Sequence, residues 1–128
     1  MWIEAGEASS KMKLTLKKLG LPQDVIRRAS ICMYEGEINM VIHADGGEAE
    51  VEVDMDRIVL RMTDTGPGIP DVEQAMQEGY STAGPTAREL GFGAGMGLPN
   101  MKRYSDEMTI ETEVGKGTVV TVVIKIPQ

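Results

Sequence analysis

The order of apolar and polar positions along the chain predicts a run of short elements whose period changes once, near residue 48. Glu7-Ala8-Ser9-Ser10 followed by Lys11 to Leu19 reads as a capped helix, stopped by Gly20 and the Leu21-Pro22 break. Asp24 starts a second helix. On it Ile31, Tyr34, Ile38, Val41 and Ile42 recur at spacings of three and four, which predicts a buried stripe, and Asp45-Gly46-Gly47 ends it. The period then becomes two: Ala49, Val51, Val53 and Met55 alternate with Glu50, Glu52 and Asp54, as in a half-exposed strand. A turn at Asp56-Arg57 leads into Ile58 to Met62, a more buried strand.

Asp64 to Pro70 is a Gly/Pro loop, and Asp71 to Glu78 suits a short helix. Residues 79–97 carry glycine at 79, 84, 91, 93, 95 and 97 with almost no periodicity. A structureless stretch of about nineteen residues is uncommon and usually functional or disordered. Leu98 to Ser105 suits a helix; Met108 to Thr112 and Thr118 to Ile126 read as strands joined by a hairpin at Gly115-Lys116-Gly117. Hairpin-linked strands with helices on one face make an α+β two-layer sandwich, and 128 residues suffice for one domain, 1–128.

Charge and composition narrow the partners. The formal net charge of −7 runs against nonspecific phosphate binding, so no nucleic acid is expected. Lys11, Lys13, Lys17 and Lys18 alternate with apolar residues and read as a solvated helix face. No run of 18 apolar residues occurs, so no membrane is expected. The start, Met1 to Glu7, lacks the basic and apolar regions of a signal peptide, and a lone Cys32 cannot form an internal disulfide. A cytoplasmic protein is the expectation.

The glycine-rich segments invite a nucleotide reading, yet the common motifs fail. A P-loop needs Gly-Lys followed by Ser or Thr, and Gly115-Lys116 is followed by Gly117. The Rossmann fingerprint fails because Gly91 to Gly97 comes late, with glycine at every second position; the protein-kinase glycine loop fails for want of its downstream His-Arg-Asp. A different set remains. Glu35, Asn39 and His43 are four apart and share a helix face, where a carboxylate and a carboxamide offer hard oxygen ligands suited to Mg²⁺. Alone, such a pair far more often belongs to a structural or solvated helix face. Asp64-Thr65-Gly66-Pro67-Gly68 follows a strand, placing a carboxylate where it could accept from the adenine amine, with glycines allowing close backbone approach; it equally fits a plain turn. Gly91 to Gly97 feeding a helix presents N–H groups to phosphate, or is a linker. Gly115-Lys116-Gly117-Thr118 enters the last strand.

Taken in order, these four segments resemble the GHKL (Bergerat-fold, histidine-kinase-like) ATPase superfamily over roughly Ala8 to Ile126. Glu35 to His43 is similar to the Asn-box of the bacterial anti-sigma-factor kinases and their stress-switch relatives, which phosphorylate Ser or Thr on a small antagonist. Gly95-Met96-Gly97-Leu98 and Gly115 to Thr118 match that branch too. The chain departs from it at the start, where only Met1-Trp2-Ile3 stands in place of an opening strand, and at Gly36, where many relatives carry Ala and helical Gly costs about 1 kcal/mol.

The resemblance implies a mixed, mainly antiparallel sheet with helices on one face, and ATP with Mg²⁺ as cofactors. It gives Asn39 the Mg²⁺, Asp64 the adenine amine, Gly66 and Gly68 the base and ribose wall, and Thr118 the adenine end. Gly93, Gly95, Gly97 and Leu98 would belong to an ATP lid over 79–97, and Glu35 would be the general base. Arg88 would be a phosphate contact or a solvated lid charge, and His43 a structural residue. The implied partners are a STAS-type anti-sigma antagonist, a sigma factor and a second copy in a homodimer. Two other roles stay open: an ATP-dependent anti-sigma or adaptor module without turnover, and the catalytic domain of a histidine kinase.

Overall fold

In the computed structural model the described residues are 2–4, 7–44, 46–69, 76 and 97–127, with backbone alone at 2–4, 42 and 43. Among these residues three helices and five strands follow in the order β1 (Trp2–Glu4), α1 (Ala8–Lys18), α2 (Gln23–Ala44), β2 (Glu48–Val53), β3 (Arg57–Asp64), α3 (Gly97–Tyr104), β4 (Glu107–Glu113) and β5 (Gly117–Lys125). The sheet order is β1-β2-β3-β5-β4, and all four pairings are antiparallel. The α+β sandwich is thus as expected, with a sheet that is antiparallel throughout the described residues. The short opening segment does form a strand: Trp2 to Glu4 pairs with Glu50 to Glu48 at the sheet edge.

Alternation decides which side of the sheet is covered. Ala49, Val51, Ile58, Leu60, Met62, Val120, Val122 and Ile124 are buried beneath the helices. Met55, expected to continue β2, instead stands exposed in the β2–β3 turn. Asp54 makes that turn by accepting the amides of Asp56 and Arg57 at 2.8 and 2.9 Å.

Helix α1 buries Ala8, Met12 and Leu16, four residues apart. Its own N-cap residue, Glu7, makes no side-chain cap. The buried Glu37 of α2 does so from a distance, its two carboxylate oxygens accepting the amides of Ala8 and Ser9, each at 3.0 Å. Those amides are among the orphan donors of a helix start, and a carboxylate there also meets the positive end of the helix dipole. Glu37→Ala should therefore destabilise the fold by about 3 kcal/mol, read as a lower urea midpoint. A midpoint unchanged by the substitution would remove the capping role.

On α2 the structure corrects the expected stripe. Tyr34 and Val41 are 48% and 49% exposed, and Ile31 and Ile38 are half-buried. The buried face is Val25, Ala29, Cys32, Met33, Gly36 and Met40. Small residues explain the choice, since they let the helix axis approach β3. A Cβ at Gly36 would collide with the sulfur of Met62 and stand 3.4 Å from Met101 Cε, so the helical glycine is an approach point.

Helix α3 lies antiparallel to α2, as the contacts show in sequence. Arg28 Nε donates to the Tyr104 carbonyl at 3.0 Å, Cys32 Sγ to the Met101 carbonyl at 3.5 Å, and Glu35 is hydrogen-bonded to Asn100. Burial pushes the Cys32 thiol up to about 12, so it packs rather than reacts. Arg28 also reaches Asp106 at 3.1 Å. Burial pushes the Asp106 carboxyl up, but the Lys125 amide at 2.6 Å and the Arg28 guanidinium outweigh it and hold it below 3.8. No described helix is long and apolar enough to cross a membrane.

Candidate functional site

Two groups of side chains gather around the C-terminal half of α2. The first is set by helix geometry, because Glu35 and Asn39 are one turn apart and face the start of α3. A Cβ at Gly97 would stand 3.6 Å from Asn39 Oδ1 and 3.7 Å from Glu35 Oε2. The carboxylate, the carboxamide and the positive helix end therefore face one another across this glycine. Burial raises the Glu35 carboxyl above its ordinary 4.5, partly offset by the hydrogen bond from Asn100. A half-buried carboxylate with a raised value is a better proton acceptor near neutrality.

The second group is set by strand register. Asp64 pairs with Thr118 and Thr118 with Thr112, so the three form one row at the end of the sheet, on its helix-covered side. Asp64 Oδ1 accepts the Gly66 amide at 3.0 Å, while its Oδ2 takes no hydrogen bond from the described residues. Thr112 Oγ1 accepts the Ile69 amide at 2.8 Å, contacts the Gly117 carbonyl at 3.2 Å, and lies 2.9 Å from Thr118 Oγ1. With its single proton directed to Gly117, Thr112 must accept from Thr118. The Thr118 oxygen and Asp64 Oδ2 are then adjacent acceptors, the arrangement that an amino group requires.

The glycines hold the loop after Asp64 in place. A Cβ at Gly66 would meet Ala44 at the end of α2, and Gly68, at φ +79°, passes close to the Glu113 carbonyl. The Gly115 amide donates to Pro67 at 2.8 Å, fastening this loop to the β4–β5 hairpin. Gly117 sits at φ +135°, and a Cβ there would collide with the Asp64 carbonyl oxygen. Leu98 is buried in the core, so its side chain anchors α3 and leaves only backbone for a ligand. Gly93, Gly95 and Arg88, the expected 71–78 helix and the 79–96 part of the expected lid lie outside the described residues, apart from Met76; the His43 side chain does too.

Sequence reasoning missed Asn100 and Thr112. Asn100 is a polar residue in the first turn of α3, one turn beyond Gly97, and that position was its signal. Thr112 could have been found by counting back from Thr118 across the Gly115 hairpin.

Residues 26–128 match the histidine kinase-, DNA gyrase B- and HSP90-like ATPase family. The chain belongs to this ATPase family. It is 33% identical over 106 residues to the serine/threonine-protein kinase RsbT of Bacillus subtilis (strain 168), covering 80% of this chain and 74% of that one. It is 36% identical over 99 residues to the anti-sigma F factor of Pasteuria penetrans, covering 72% of this chain and 63% of that one. The anti-sigma F factor of Geobacillus stearothermophilus is 32% identical over 103 residues, 76% of this chain and 67% of that one. This ATPase domain is therefore related to the anti-sigma factors and the RsbT-type kinase, and ATP binding follows from its family. The residues present fit a nucleotide: Gly97 turns backbone toward the Asn39 and Glu35 side chains, and Asp64 Oδ2 takes no hydrogen bond from the described residues.

Proposed function

We propose that this ATPase domain is a protein serine/threonine kinase of the anti-sigma type, transferring the γ-phosphate of ATP to a hydroxyl of a small regulatory protein. The convergence of Glu35, Asn39 and Gly97 at the start of α3 is the observation that carries this reading. Asp64 Oδ2 and the Thr118 oxygen would accept from the adenine amine, with Gly66 and Gly68 forming the wall of the base and ribose. Asn39 would hold Mg²⁺, which supplies charge neutralisation on the phosphates when bound.

In the transfer, the acceptor hydroxyl oxygen forms a bond to the γ-phosphorus as the bond to the β–γ bridging oxygen breaks, releasing ADP. The hydroxyl proton passes to the Glu35 carboxylate. Its raised value suits that role, and the Asn100 hydrogen bond fixes the carboxylate's orientation. Because the transition state is loose, placing the hydroxyl matters more than base strength. The name of the anti-sigma F relatives supports a sigma factor as a protein ligand, and the acceptor would be a STAS-type anti-sigma antagonist, as the Asn-box resemblance implies.

The first test is calorimetric titration with ATP, with and without Mg²⁺, on the parent protein and Asp64→Asn. The parent should bind in a Mg²⁺-dependent way. The variant, with one acceptor turned into an amide that can present a donor, should bind about 30-fold more weakly. Equal binding by both proteins would remove Asp64 from the adenine site, and no binding by the parent would end the nucleotide reading of this chain.

A further inference from the structure

The row Ile31, Tyr34, Ile38 and Val41, expected in the core, lies on the outer side of α2. Isolated apolar residues on a surface need no explanation, but four at helical spacing along one ridge form a continuous strip. It runs beside the face that carries Glu35, since Ile31 stands four residues before Glu35 and Ile38 three after it. The two layers of the fold also differ in charge. The three helices hold eight Lys and Arg against Asp24, Glu35 and Glu37, a net +5 with His43 neutral. The five strands hold eight Asp and Glu against Arg57, Arg61 and Lys125, a net −5. On α1, Lys11 pairs with the N-cap residue Glu7 at 2.9 Å, whereas Lys13 and Lys17 are exposed together with Leu14. A chain of net −7 thus presents an apolar ridge within a basic helical layer.

We infer that the outer side of the helical layer, centred on Ile31, Tyr34, Ile38 and Val41, docks an acidic amphipathic helix of the protein substrate. The inference rests on the kinase reading and adds how the acceptor is held. Apolar residues of the partner helix pack along the α2 ridge, and its acidic flank faces the lysines of α1. A helix seated there has one edge over Glu35, which brings a hydroxyl beyond its end to the carboxylate. A second copy of this chain is the weaker occupant. In a two-fold dimer through this face the basic helices of both copies would meet, which like charge disfavours.

The test uses a fluorescein-labelled peptide of about twenty residues, with leucines at helical spacing, glutamates elsewhere and one serine. Anisotropy titration follows its binding to the parent chain, to the double variant Tyr34→Glu/Val41→Glu, and to Lys13→Glu/Lys17→Glu. Both sites are exposed, so each variant should fold and bind Mg–ATP as the parent does. Saturable binding that weakens about tenfold or more in each variant, and in rising salt, supports the inference. So does binding about tenfold weaker for the counterpart with Lys in place of Glu. Unchanged binding by the ridge variant, equal binding of both peptides, or no binding of the acidic peptide overturns it. Binding to phosphatidylglycerol vesicles without peptide binding, or self-association lost in the ridge variant, overturns it as well. Calorimetry on the same samples separates the two proposals: intact ATP binding with failed docking removes this inference alone, and absent ATP binding removes the kinase reading first.

Discussion

Glu35→Gln is expected to bind Mg–ATP within about twofold of the parent and to transfer the γ-phosphate about 10²–10³-fold more slowly. The substitution keeps the size of the side chain and the partner of Asn100, and removes only the proton-accepting oxygen charge. The pH profile gives the more specific readout. Since burial raises the Glu35 carboxyl above 4.5, transfer by the parent should fall as pH drops through that elevated value, and this acid limb should vanish in the variant.

The stability sign runs the opposite way. A carboxyl whose folded value is raised favours the fold below its ordinary 4.5, and that contribution is lost as pH rises through the elevated folded value. At neutral pH the variant should therefore be at least as stable as the parent. A slow variant that is also unfolded would implicate packing, and a variant that transfers at the parent rate would show that another group takes the proton.

Asn39→Ala should lose about a hundredfold or more of its affinity for Mg–ATP. The carboxamide oxygen faces Gly97 at the start of α3, one turn beyond Glu35, and no other described residue offers a neutral hard oxygen from the same helix face. Truncation removes a ligand rather than a packing group, since Asn39 is only half-buried and outside the apolar core. Calorimetry with and without Mg²⁺ separates the contributions: metal-free ATP binding should change far less than Mg–ATP binding. Equal affinity of variant and parent for Mg–ATP would take the metal away from Asn39.

Much of the fold was legible because it follows from local rules. The glycine stops at Gly46 and Gly115, the change of period at Glu48, and the hairpin into Thr118 are each encoded within a few residues. The pairing of Glu35 with Asn39 was legible for the same reason, as four residues make one helical turn. What misled was the weighting of large apolar residues on α2. Tyr34 and Val41 carry the stronger periodic signal, but Ala29, Cys32 and Gly36 allow the closer approach to the sheet and so define the buried face. Glu37 was illegible for a different reason: its partners, Ala8 and Ser9, are nearly thirty residues away, and only packing of α1 on α2 brings them together.

By itself the sequence determined the three described helices, strands β2 to β5 with their hairpins, and the family, because these rest on short-range periodicity and on glycine turns. The pairing of β1 did not follow from it, and the expected 71–78 helix lies, apart from Met76, outside the described residues. The tertiary structure decided which face of α2 is buried, that Glu37 caps α1, and that Gly97 lies against both Glu35 and Asn39. It also set Asp64, Thr118 and Thr112 in one row and divided the charge between layers. These relations join residues far apart in the chain, and they exist only once close packing has fixed the distance between helix and sheet.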